Sequence, residues 1–201
     1  MTAKELYDLG LEKMKTFSLQ GLLPALRAAN EGAVEDVKNI EGCAYYQWSS
    51  ALLGEIKPRQ IVELGGAMGV WDVCVLHTLP KESKLYSVTL AEEGKEFSYV
   101  VDKYPNFIPC VGDDLDLTVW PKELDLSKTD VWFIDTFHTE DQLRKEWALY
   151  SPFMKKGSIV LFDDIHINIG METVWNELKE KYDSIDCTYP LHWTGYGLLK
   201  I

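Results

Sequence analysis

Two short runs in this 201-residue chain set acids beside imidazoles: Phe133-Ile134-Asp135-Thr136-Phe137-His138 and Leu161-Phe162-Asp163-Asp164-Ile165-His166. Asp135, Asp163 and Asp164 gathered in one place repel unless something positive joins them. A hard divalent cation such as Mg2+ suits such a set, because it takes one to three carboxylates together with water and substrate oxygens. An acceptor hydroxyl on that ion loses its proton more readily and becomes a nucleophile. His138, three residues beyond Asp135, is placed to take that proton as a general base. His166 reads as a substrate-contact group or a support for the ligands, and Asp163 or Asp164 reads alternatively as a helix cap.

A third run, Glu63-Leu64-Gly65-Gly66-Ala67-Met68-Gly69, carries no nucleophile but offers a tight turn whose small side chains let a ligand approach the backbone. It is neither the dinucleotide pattern G-x-G-x-x-G nor a phosphate loop ending in Gly-Lys-Ser/Thr. A nucleoside without phosphates therefore fits it better than a pyrophosphate, and a plain connecting turn is the alternative.

These runs need elements to position them. From Gln60 onward, short apolar or β-branched runs alternate with helical stretches: Ile61 to Leu64, Leu85 to Leu90, Phe107 to Val111, Val131 to Asp135 and Ser158 to Phe162. Five strands alternating with helices predict an α/β fold with a parallel, doubly wound sheet. A helix from about Met171 to Tyr182 and runs at Ile185 to Tyr189 and Gly197 to Ile201 complete it. The last two runs should pair antiparallel, since the Pro190 to Gly195 loop is too short for a crossover. In such a sheet the ends of the first, fourth and fifth strands share one edge, which brings the glycine run and the acids together. Residues 1–55 read as a helical lead-in, with helices at about 4 to 17, Leu22 to Ala29 and Ala44 to Ile56, ahead of a core at 56–201 in a single domain. Tyr46 and Gln47, among the aromatics before the core, are candidate contacts to a ligand.

Glu63-x-Gly65-x-x-x-Gly69 resembles the first motif of class I methyltransferases, as found in catechol-type and sugar-type O-methyltransferases. The resemblance implies a Rossmann-like, seven-stranded, mostly parallel sheet with an antiparallel last strand, helices on both faces and an N-terminal helical lid. It also implies S-adenosylmethionine as cofactor, held by Glu63, Gly65, Gly66, Ala67 and Gly69. Val111-Gly112-Asp113-Asp114 is similar to that family's Gly-Asp turn at the adenine, which assigns Gly112 and Asp113 to the cofactor. Thr89 stands where the family has an acid for the ribose hydroxyls, with Glu92 or Glu93 as substitutes. The acids and imidazole resemble the metal-dependent members, which makes Asp135, Asp163 and Asp164 the ligands, with Asp135 also beside the cofactor, and His138 the base. Asp135-x-x-His138 is closer to sugar- and antibiotic-tailoring enzymes than to catechol enzymes.

A net charge of −12 argues against nucleic acid or an anionic membrane as partner. Cys43, Cys74, Cys110 and Cys187 form no C-x-x-C pair and read as reduced and mostly buried. No signal-like apolar run opens the chain, so a cytoplasmic location is the expectation. The acceptor is expected to be a small molecule and the assembly a homodimer. The competing expectations are a non-catalytic module that binds the cofactor and a nicotinamide-dependent oxidoreductase.

Overall fold

Period-two alternation in the strands sorts their side chains onto two faces, and both faces carry helices. The computed structural model describes residues 1–19, 22, 44–67, 69–90 and 98–201. The helices are α1 (Ala3–Met14), α2 (Ala44–Ile56), α3 (Val70–Leu76), α4 (Ser98–Lys103), α5 (Glu140–Tyr150) and α6 (Ile169–Lys179). The strands are β1 (Gln60–Leu64), β2 (Lys84–Thr89), β3 (Phe107–Val111), β4 (Val131–Ile134), β5 (Ile159–Asp163), β6 (Asp183–Asp186) and β7 (Tyr196–Lys200). They form one sheet in the order β3-β2-β1-β4-β5-β7-β6. β1 to β5 pair in parallel, and β7 is antiparallel to both β5 and β6. This is the seven-stranded arrangement expected from the sequence.

In β1, Ile61 faces a core shared with α1, α2 and α3, whereas Val62 and Leu64 face a second core that includes Leu143 of α5 and Val174 and Trp175 of α6. Side chains supply the helix starts. Thr2 and Glu5 form a capping box on α1, Thr139 caps α5 and Asn168 caps α6.

Strand ends shift by a residue or two from expectation, and one difference is larger. The run expected as a strand to Tyr189 leaves the sheet after Asp186. The Asp186 carboxylate accepts from the Thr188 backbone N–H and hydroxyl, which turns the chain into a helical turn at Thr188–Leu191. Only part of the expected lid is described. α1 packs on α2 and against β6 and β7, and among the described residues of the lead-in it is the start of α2, at Tyr45 and Tyr46, that reaches the carboxyl edge of the sheet. The expected helix from Leu22 to Ala29 lies, apart from Leu22, outside the described residues.

The chain runs outward from β1 to β2 and β3, then returns to β4 on the other side of β1. The crevice at this reversal lies between the ends of β1 and β4, where α/β sheets bind ligands. A Cβ on Gly65 would lie 1.8 Å from the carbonyl oxygen of Asp135, and Gly65 has φ +91°. Only glycine permits that approach.

Candidate active site at the carboxyl edge of the sheet

Two adjoining cavities, of about 220 and 330 Å³, open on this edge. The smaller is lined by Gly65, Ala67, Val88, Thr89, Leu90, Gly112, Asp114, Asp135, Thr136, Phe137 and His138. The larger adds Glu63, Gly66, Asp163 and Asp164 to aromatic walls from Tyr45, Tyr46, Trp71, His192 and Trp193. Gly65, Ala67 and Asp135 line both, so the two form one groove across the switch point.

Three expectations change in detail. Asp113, expected at the adenine, is exposed and its carboxylate accepts from the Leu115 backbone N–H at 2.9 Å, whereas its neighbour Asp114 lines the groove. Gln47 donates to the carbonyls of Met14, at 3.0 Å, and Phe17, so it ties α2 to the end of α1 and does not line either cavity. Tyr46 does line the groove. His166 turns away to bond Asp186 at 2.7 Å, because its backbone is held by the Thr194 carbonyl. Its place beside the acids is taken by His192, in the segment Leu191 to Gly195 that joins the last two strands and that the sequence offers as a lining of the same mouth or a dimer seam.

Gly69 starts α3 at φ +73° with no side-chain cap. Glu92 and Glu93 lie outside the described residues. Thr89 is buried in the wall of the smaller cavity.

The acids and imidazoles form a compact cluster. His138 Nε2 lies 2.9 Å from Asp135 Oδ1, and its Nδ1 lies 3.3 Å from Asp164 Oδ2. His192 Nε2 lies 4.0 Å from Asp163 Oδ1, and the Thr194 hydroxyl bonds Asp164 and His192 Nδ1. His138 and Asp164 both adopt positive φ, +48° and +54°, a conformation that costs energy and gathers at functional sites. Burial, followed by the charges of Asp135 and Asp164, pushes the Asp163 carboxyl well above the usual range. Burial lowers His138, but the hydrogen bond and charge of Asp135 and the charge of Asp164 outweigh it, and the net shift is upward. Burial lowers His192 despite the same acids.

The residues fit a divalent cation. Among the described residues the buried Asp163 Oδ1 has no hydrogen-bond partner, and two groups, Asp135–His138–Asp163 and Asp163–Asp164–His192, bring ligand atoms within 4.8 Å of one another. An orphaned carboxylate oxygen inside a cavity is costly unless something occupies the space before it.

Behind the glycine loop lies a second acid pair. Glu63 sits beside Ser87 across the β1–β2 ladder and accepts from its hydroxyl, while Asp72 of α3 meets it from above. Both carboxyls are pushed up, by burial first, and Asp72 further by the charge of Glu63. Asp72 and Glu63 meet carboxyl to carboxyl, so the bond between them needs a proton on one of the two.

A family model described as a methyltransferase domain matches residues 62–165, the span from β1 to the end of β5 and the acid pair. No curated protein matches the chain in sequence. Among solved structures, the O-methyltransferase TomG of Streptomyces achromogenes, involved in tomaymycin synthesis and bound to SAM, superposes with a TM-score of 0.69 at 14% identity, covering 100% of this chain and 99% of that one. Cofactor-bound Rv0187 from MTB gives 0.69 at 13% identity over 90% of each chain. A putative caffeoyl-CoA O-methyltransferase from Staphylococcus aureus gives 0.65 at 15% identity, covering 89% of this chain and 92% of that one. At these identities the likeness to the solved structures is one of fold.

Proposed function

The chain belongs to the methyltransferase-domain family, and from that premise we propose that it transfers the methyl group of S-adenosylmethionine to a hydroxyl oxygen of a small molecule, with a divalent cation and His138 as base. One observation carries the reading: a single groove runs from a nucleoside-sized pocket at Gly65, Thr89 and Asp114 to the acid–imidazole cluster. The family match leaves the nicotinamide oxidoreductase reading without support.

Gly65, Gly66, Ala67 and Gly69 let the cofactor lie against backbone, and Glu63, held by Ser87 and Asp72, stiffens the end of β1 beneath it. Asp135, Asp163 and Asp164 would hold the cation. When bound, S-adenosylmethionine would supply a methyl carbon on a positively charged sulfur, the C–S electrons leaving with the sulfur as the C–O bond forms, and the cation would supply positive charge beside the acceptor oxygen. Asp135 Oδ1 fixes the His138 ring through Nε2. Nδ1, whose contact with Asp164 is the longer of the two at 3.3 Å, would take the acceptor's proton. Tyr45 and Tyr46 flank the acceptor and exclude water.

Titration of Mn2+ followed by electron paramagnetic resonance tests the metal directly. The account expects one bound ion per chain, its affinity reduced at least about tenfold in Asp163→Asn. Equal binding by wild type and variant would remove Asp163 from the ligand set.

A further inference from the structure

The wall of the smaller cavity is backed by a polar network on α5. Asp114 and Thr136 line the cavity, whereas Glu146 does not and is 0% exposed. The Gln142 side-chain amide donates to Asp114 Oδ1 at 3.0 Å and to Glu146 Oε1 at 2.7 Å. Tyr150, itself accepting from Trp120 Nε1 at 3.0 Å, donates to the backbone carbonyl of Asp114. Glu146 also interacts with the Thr136 hydroxyl. Residues 142, 146 and 150 are four apart, so one face of α5 holds Asp114.

Two carboxyls clamped by one amide do not both ionise cheaply. Burial first, and then the hydrogen bond and charge of Asp114, push Glu146 up to about 9, so it carries a proton at neutral pH. A protonated carboxyl donates to its neighbour, which leaves Asp114 the ionised partner. Asp114 then faces the cavity as an acceptor only.

This inference rests on the reading of the groove as an S-adenosylmethionine site. We propose that Glu146 is a positioning residue that fixes Asp114 as the acceptor selecting the cofactor's base, so that a purine bearing an amine at that edge is taken and one bearing a carbonyl there is refused. A carbonyl opposite Asp114 would set two acceptors face to face in a desolvated wall, a mismatch that costs about tenfold or more in affinity. The other titratable groups around the pair are Asp113, in the loop with Asp114, and Tyr150 on α5; burial raises Tyr150 further above its ordinary value.

Calorimetry of the intact chain with S-adenosylhomocysteine and S-inosylhomocysteine, which differ in the group at C6 and in the N1 proton that accompanies the carbonyl, tests it. Wild type should prefer the adenosyl ligand at least about tenfold at pH 7, and its affinity for the adenosyl ligand alone should fall as pH rises through about 9. Glu146→Ala should cut the preference to about threefold or less by weakening the adenosyl ligand alone. Glu146→Gln, whose amide still donates to Asp114, should restore it and abolish the alkaline decline, which a merely structural role would not do. An unchanged preference in Glu146→Ala, or a decline that persists in Glu146→Gln, overturns the proposal. If Glu146→Ala does not fold, the pH profile of Glu146→Gln decides alone. Wild type binding both ligands equally overturns this assignment and leaves the cofactor reading standing, whereas binding neither overturns both.

Discussion

His138 and the acid pairs show how single residues here hold energy in reserve. His138 is the one imidazole in contact with both Asp135 and Asp164, 2.9 and 3.3 Å away. Replacing it with Ala should lower the turnover of bound acceptor by about a hundredfold to ten-thousandfold, the range for loss of a general base, and leave S-adenosylmethionine affinity within about threefold. Equal losses of affinity and turnover would instead make His138 part of the binding surface. The Glu63–Asp72 pair contributes to the pH dependence of stability. An acid whose folded pKa is raised binds its proton more tightly folded than unfolded, so its stabilising effect is complete at low pH and is lost as pH rises above the unfolded value, 3.8 for Asp72. Asp72→Asn keeps a donor toward Glu63 and removes the titration. Its melting temperature should exceed that of wild type at pH 8 by about 2–8 °C and match it more closely at pH 5. A lower melting temperature at pH 8 would show that the pair stabilises as an ionised unit.

Elements were more legible in the sequence than the residues lying between them. The strands of the parallel half show as apolar runs, because both faces of β1, β4 and β5 are covered and nearly every position is buried. The edge to which Asp135 and Asp163 come follows from parallel order alone. The sequence offers the segment around His192 as a lining of the mouth but not its contact with Asp163 and Asp164, because that depends on how Thr188–Leu191 folds back, which is set by contacts distant in sequence such as the pairing of β7 with β5. Asp72 and Glu146 did leave a signal. Each is a lone acid at a position that periodicity buries, Asp72 within Val70-Trp71-Asp72-Val73-Cys74 and Glu146 between Leu143 and Tyr150. A buried acid requires a partner, and the partners, Glu63 and Asp114, lie on the groove. The loop itself gives a sharp test. Gly65→Ala would collide with the Asp135 carbonyl and should abolish cofactor binding, whereas Gly157→Ala, also at positive φ but with its nearest neighbour 3.9 Å away, should cost about 1 kcal/mol of stability and leave binding intact. Retained binding in Gly65→Ala would remove the close approach of β1 and β4 from the account.

The whole molecule is acidic, and its groove concentrates that charge. Glu63, Asp114, Asp135, Asp163 and Asp164 all line it. Such a field draws in a sulfonium cofactor and a divalent ion and repels a pyrophosphate, which also finds no Gly-Lys-Ser/Thr seat in the loop. The general reading of a methyltransferase sheet was therefore open to sequence, while the identity of the acceptor is written in walls such as Tyr45, Tyr46, His192 and Trp193 that only the fold assembles. Among the described residues no helix is long and apolar enough to cross a membrane. The central claim is that this acidic groove is the seat of S-adenosylmethionine. Calorimetry with S-adenosylmethionine and NAD, each in the presence of Mg2+, measures it most directly: the account predicts one S-adenosylmethionine bound per chain at micromolar or tighter affinity, of the order of 8 kcal/mol, and no measurable NAD binding. Tight NAD binding with no heat from S-adenosylmethionine would contradict it.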